Sequence, residues 1–239
     1  MSRITDGWMK SRYVSKGTDF SATDLTNPNY YLWVKHNFKK EVVVNPDTPS
    51  GYKSFAGTAV HSLIEGVHEI GVVKEFSWTK EINGVTIGGT ADELRYRYTV
   101  NKWRLGDVKT KGVFPAEKFL KGENEKEQLQ LSIYRWLYNG LFEIEDKAVI
   151  YLFVMGHSAK EAKKGIPEVS EQWLDLLPIS STETIIQGKL AIAKAATPPE
   201  LDCPTVWKCK DYCDMNTVCP YYQGKLTGGK PKAEFGDES

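Results

Sequence analysis

Gly89-Thr90-Ala91-Asp92 and Asp107-Val108-Lys109 stand on either side of a turn expected near Thr99-Val100, and their reading decides the fold. From Glu81 to Thr110 apolar and polar residues alternate as in strands, with turns at Asn83-Gly84 and between Tyr98 and Lys102. Asn-Gly between alternating runs is a strong hairpin signal. Folding the second hairpin about Thr99-Val100 sets Asp92 roughly opposite Asp107. Side chains alternate faces along a strand, so Asp107 and Lys109 point the same way. Two carboxylates at cross-strand distance repel unless a cation lies between them. A hard divalent ion with oxygen ligands is the expected occupant, and a lysine beside it suits an anionic substrate. The triplet alone carries no weight, because Glu145-Asp146-Lys147 and Glu161-Ala162-Lys163 repeat it. Charged residues of that kind are usually a solvated face.

Around this hairpin the pattern is that of an α/β chain. Gly57 to Ile70 reads as a helix through Val60, Leu63, Ile64 and Val67, and His61 and Glu65 share one of its faces. Strands are expected at about Val72 to Ile82, Val85 to Tyr98 and Trp103 to Thr110. Asn124 to Gly140 reads as a second helix, with Leu129, Ile133, Trp136 and Leu137 inward and Gly140 closing it. Gln130 and Tyr134 lie one turn apart on it. Ala148 to Met155 is nearly continuous in apolar residues, the mark of a strand buried on both faces. A further helix spans about Ser181 to Ala196, ahead of Pro198-Pro199, and Ser21 to Leu25 opens a segment that Asn27-Pro28 splits. The order helix, three-strand meander, helix, buried strand predicts a mixed central β-sheet flanked by helices.

Composition bounds the function. The chain has 239 residues, 41% apolar, with 7 Trp, 12 Tyr and 9 Phe, enough for one substantial α/β domain. Its 31 basic residues balance 31 acidic ones, so any polyanion must be met by local patches. Two exist, Lys35 to Lys40 and Lys102 to Lys121 (with Arg104, Lys109, Lys111 and Lys118). Tyr30, Tyr31 and Trp33 beside the first patch read either as packing or as a stacking platform for single-stranded DNA. Met1 to Phe20 lacks an apolar signal core and no run is long enough to span a bilayer, so a soluble, cytoplasmic protein with reduced thiols is expected. The divisions expected are an N-terminal segment 1–20, a catalytic domain 21–200, a Cys-rich segment 201–223 and a disordered tail 224–239.

The order of these pieces resembles the PD-(D/E)XK nuclease superfamily, its RecB-like and phage-exonuclease branch in particular. Gly57-Thr58-Ala59-Val60-His61-Ser62-Leu63-Ile64-Glu65 looks like the branch's histidine-bearing helix, and Gly89-Thr90-Ala91-Asp92 like its first acidic motif. Asp107-Val108-Lys109 looks like the second acidic residue with its lysine, and Gln130-Leu131-Ser132-Ile133-Tyr134 like the Gln-x-x-x-Tyr helix. Ser21 to Pro28 is similar to the opening of phage-type members.

The resemblance implies a restriction-endonuclease-like αβββαβ core and a DNA exonuclease of phage or prophage recombination or repair, hydrolysing phosphodiester bonds to leave a 5′-phosphate. An endonuclease or nickase on the same fold, and a nucleic-acid-binding module without turnover, are the alternatives. It further implies that His61, Asp92, Asp107 and the Val108 carbonyl ligate Mg2+ or Mn2+, with Glu65 divided between the metal's surroundings and the surface. Lys109 would hold or deprotonate water, or neutralise phosphate, while Gln130 and Tyr134 would position these groups. Without the resemblance, His61 reads as a satisfied helix histidine, Tyr134 as core and Gln130 as a surface amide. The implied partners are DNA (single strands or duplex ends) and a phage single-strand-binding or annealing protein, with a homo-oligomer left open.

All four cysteines, Cys203, Cys209, Cys213 and Cys219, fall in one short stretch. Their spacing allows a tetrathiolate site, filled by Zn2+ or a 4Fe-4S cluster, with disulfides or free thiols as the alternative. Iron-sulfur members of the branch carry an early cysteine that this chain lacks.

Overall fold

The computed structural model describes residues 17–38, 60, 69–203, 209 and 213–226. They divide into two compact units, one of residues 18–26 and 55–185, the other of residues 1–17, 27–54 and 186–239. The expected helix at 57–70, with His61 and Glu65, lies outside the described residues except for Val60, Glu69 and Ile70.

The first unit is a mixed six-stranded sheet. Its strands are β1 (Phe20–Ser21), β2 (Val72–Ile82), β3 (Val85–Arg97), β4 (Lys102–Gly112), β5 (Lys147–Met155) and β6 (Val169–Asp175). Asn83 and Gly84 have φ of 52° and 69°, the two positive values that a two-residue hairpin turn needs, so β2 and β3 pair from Ile82↔Val85 outward. On its other edge β3 is shared between two partners. β4 pairs antiparallel with Glu93 to Arg97, and β1 pairs parallel with Ile87 and Gly88. Between them Gly89 to Asp92 face a split, because β4 turns away to pair parallel with β5. β5 buries Ala148, Val149, Ile150, Leu152 and Val154, as its apolar run predicted. β6 closes the far edge antiparallel to β5.

Helices α2 (Val113–Leu120) and α3 (Glu125–Tyr138) lie between β4 and β5 in the chain, and the short α4 (Ala159–Lys163) between β5 and β6. α3 is the buried helix of this unit, with Leu131, Ile133, Trp136, Leu137 and Tyr138 each 0–1% exposed. Gly140 follows it with φ 94°, the left-handed closure expected of a glycine there. The fold is thus a mixed α/β sheet flanked by helices, of restriction-endonuclease type, as the order of elements predicted.

In the second unit α1 (Asn29–Phe38) starts after Pro28, so the proline does divide the segment begun at Ser21. The Asp202 carboxylate accepts from the N–H groups of Asn29 and Tyr30 at 2.7 and 2.9 Å, supplying an anion where the helix exposes free donors. Tyr30, Trp33 and Val34 pack in a core with Met215, Cys219 and Tyr222. Tyr30 and Trp33 therefore serve packing. The stretch expected as a separate Cys-rich segment is no distinct motif: Cys203, Cys209 and Cys213 pack against the same core as α1. α5 (Ile179–Ala193) crosses the boundary between the units, and α6 (Pro220–Leu226) belongs to the second. Among the described residues no helix is long and apolar enough to cross a membrane.

Candidate active site

The split between β3 and β4 gathers the acidic motifs. The pairing Glu93↔Gly106, carried one residue further, sets Asp92 across from Asp107. Where the ladder ends, the Val108 N–H donates to Asp92 Oδ2 at 2.6 Å. Lys109 Nζ lies 2.7 Å from Asp107 Oδ2, so these two side chains do share a face. The Asp107 carboxylate is buried, the residue being 2% exposed, and the Lys109 ammonium is the cation it meets.

Electrostatics follow from this crowding. Burial first, and the Asp107 charge second, push the Asp92 carboxyl up to about 8, against the pull of the Val108 N–H and Lys109. Burial lowers the Lys109 ammonium, yet Asp107, with Asp92 and Glu127 behind it, outweighs burial and leaves its pKa raised. Lys109 is therefore a charged ammonium at neutral pH.

α3 supplies the floor. Gln130 Nε2 donates to Tyr134 Oη at 2.7 Å and reaches Thr23 Oγ1 at 3.3 Å, just beyond β1. Burial, then the charge of Asp107, holds the Tyr134 phenol well above its usual pKa, so it is a neutral hydroxyl. α3 can come this close because β3 offers Gly89. A Cβ there would meet Tyr134 Cε1 at 2.7 Å and Leu137 Cδ1 at 2.8 Å.

Three residues near this site were not singled out from the sequence. Glu127, 7% exposed, accepts from Lys111 Nζ at 2.6 Å and acts on Lys109. Thr23 accepts from Gln130, and Tyr138 binds the β3 backbone through its hydroxyl. The signal for two of them was present: Glu127, Gln130, Tyr134 and Tyr138 recur at helical spacing as a stripe of hydrogen-bonding side chains on one face of the helix. The repeated triplets behave differently. The exposed Asp146 pairs with a half-buried Arg135, Lys147 pairs with Asp175 on exposed side chains, and Glu161 to Lys163 lie in the short α4.

The metal expectations are corrected here. Among the described residues no group of three or more His, Cys, Asp or Glu could hold a metal ion. Among the described residues Asp92 and Asp107 gain no third ligand that would complete a metal site, and Lys109 brings positive charge beside Asp107. The expected Mg2+ or Mn2+ set of His61, Asp92, Asp107, Val108 and Glu65 is thus not found among the described residues, His61 and Glu65 lying outside them. The Zn2+ or 4Fe-4S site at Cys203, Cys209, Cys213 and Cys219 falls by the same finding. These cysteines are free thiols on one small pocket with Tyr30, Tyr31 and Met215, and burial raises the pKa of each.

Comparison with known proteins identifies the family. The family model of the PD-(D/E)XK nuclease superfamily matches residues 54–220, and the chain belongs to that superfamily. Membership brings nuclease-type chemistry on nucleic acids. The crystal structure of SSO0001 has the same fold, with a TM-score of 0.58 and 18% identity over 92% of this chain and 97% of that one. An alkaline exonuclease (LHK-Exo) from Laribacter hongkongensis aligns with a TM-score of 0.44 and 13% identity, over 79% of this chain and 92% of that one. Its complex with dAMP aligns with the same values. Comparison with curated proteins returns no match.

Proposed function

We propose that the chain is a DNA exonuclease of the RecB-like and phage-type kind, acting on DNA ends in recombination or repair. The observation that carries this reading is the grouping of Asp92, Asp107 and Lys109 where β3 and β4 part. Hydrolysis needs a water aimed at phosphorus, an acceptor for its proton, and positive charge where the phosphoryl oxygens gain negative charge. The Asp107 carboxylate, buried beside the Lys109 ammonium, is suited to accept from that water. Lys109 keeps its proton, so its part is to neutralise the phosphate rather than to serve as base. Gln130 and Tyr134, joined to each other and to Thr23, position these groups from below. Asp92 fixes the β4 backbone at Val108, which holds Asp107 and Lys109 in place.

The test uses end-labelled linear and covalently closed circular DNA, assayed both with a chelator and with added divalent cation. Loss of linear DNA with circles intact is the expected result. Cut circles would make the protein an endonuclease, and binding without products would make it a non-catalytic module. Asp107→Asn and Lys109→Ala should each lower the rate by about 100-fold or more, the scale of losing a transition-state charge contact, and Asp92→Ala, which removes the acceptor for the Val108 N–H, by about tenfold or more. Lys147→Ala removes only an exposed pair with Asp175 and should cleave at the wild-type rate.

A further inference from the structure

The β2–β3 ladder contains a break that no turn or bulge count requires. The Asn83-Gly84 turn makes Ile82 and Val85 a hydrogen-bonded pair, and every second pair follows: Lys80 with Ile87, Trp78 with Gly89, Phe76 with Ala91. At Phe76 and Ala91 a side chain intervenes. The Ala91 N–H donates to Tyr138 Oη at 3.0 Å, and Tyr138 Oη donates to the Phe76 carbonyl at 2.8 Å. One residue on, the register passes from Phe76↔Ala91 to Lys74↔Glu93 without pairing Glu75 and Asp92, and Glu75 has φ 49°, a left-handed conformation within a strand.

The pleat reverses at this point on both strands. Gly89 faces α3, since a Cβ there would strike Tyr134 and Leu137. Strict alternation would then turn residue 92 away from α3, yet Asp92 stands across from Asp107, on the β4 face from which Lys111 reaches Glu127 of α3 at 2.6 Å. On β2, Phe76 packs edge-on against Tyr138 at 5.2 Å, whereas Lys74, two residues earlier, reaches Glu93 on the opposite face at 2.7 Å. Tyr138 is fully buried.

We propose that Tyr138 is a positioning residue of this site: its hydroxyl, inserted between Ala91 and Phe76, holds the pleat reversal that turns Asp92 toward Asp107 and Lys109. This rests on the nuclease reading for its functional consequence, but its structural half does not. Removing the hydroxyl leaves Ala91 N–H and the Phe76 carbonyl free to bond directly. The ladder then closes in regular phase, Asp92 turns to the far face, and Val108 loses its acceptor.

Tyr138→Phe tests this while keeping the ring that packs on Phe76 and Phe142. Exchange of the Val108 amide, followed by NMR, should quicken about tenfold or more, with the Leu105 and Ile150 amides unchanged. In DNA cleavage kcat should fall about tenfold or more with KM held within about twofold, the pattern of a misplaced group rather than lost binding. A wild type that cleaves nothing would sink the nuclease reading, while Val108 exchange would still decide the role of Tyr138. Unchanged Val108 exchange, or exchange quickened equally across β4 and β5, would overturn the proposal. Glu75→Val and Glu75→Gly give a second route should Tyr138→Phe fail to fold. Both remove the carboxylate, but valine resists the left-handed backbone and glycine adopts it. Val108 exchange should quicken in the valine variant alone, and equal exchange in the two overturns the pleat argument.

Discussion

Asp92 is held in a place that disfavours its charge. Burial and Asp107 raise its pKa from an ordinary 3.8 to about 8. Between those values the folded chain keeps a proton that the unfolded chain has released, so the folded state loses stability as pH rises from about 4 to about 8. Asp92→Asn removes that loss. Urea unfolding at pH 5 and pH 8 should show the variant close to wild type at the lower pH. At the higher pH it should be more stable by about 2 kcal/mol, a figure reduced for solvent screening. A wild type equally stable at both pH values would show that the two carboxylates do not repel as described. The same crowding was legible in the sequence, because a period of two along β4 puts Asp107 and Lys109 on one face whatever surrounds them. Thr23 was not, since its importance depends on which strand end the fold brings to the split.

At the scale of elements, the approach of α3 to β3 depends on Gly89. Its neighbours are a tyrosine ring held by Gln130 and a leucine 0–1% exposed, neither a flexible end that can swing away. Gly89→Ala should therefore destabilise the protein by about 1–3 kcal/mol, the usual cost of overpacking. It should also displace Tyr134, lowering cleavage beyond what stability explains; a variant that melts and cleaves like wild type would show that the helix can retreat. Gly88→Ala meets Thr18 instead, away from α3, and is the comparison for a clash that leaves Tyr134 in place. The hairpin of β2 and β3, the buried β5 and the α3 helix were all legible, because turn residues and hydrophobic period speak for long elements. β1, two residues long, and β6, an edge strand with Leu174 its one buried side chain, leave no such pattern. The pleat reversal was hidden for a different reason: alternation read along β3 assumes a regular strand, and Tyr138, far along the chain, is what interrupts it.

For the molecule as a whole, the cysteines report on folding rather than on a metal. Burial, with smaller charge effects, raises all four thiols, Cys203 and Cys213 to about 12. Thiolate is the reactive form, so iodoacetamide at pH 8 should modify the folded chain far more slowly than the urea-unfolded chain, in which all four react. Rapid modification of the folded chain would mean that the thiols are not sheltered as the pocket places them. The sign of the linkage also gives an alkaline limit. The unfolded thiols ionise near 9 while the folded ones hold their protons to higher pH, so their contribution to stability is lost as pH rises from about 9 toward 12. The shared edge of β3 bears on the order of assembly. β2 and β3 meet through a two-residue turn, whereas the Thr86 N–H reaches Asp19, beside β1, across 67 residues. Closing a loop of that size costs about 4 kcal/mol of chain entropy before β1 gains anything. The hairpin should form early and β1 late, which pulse-labelled hydrogen exchange would register as Ala22 protected after Leu94 and Leu105; simultaneous protection would contradict it. Thr23, which accepts from Gln130, lies just past β1, so on the proposed reading a copy whose β1 has not yet docked lacks that contact and should cleave more slowly than the finished fold.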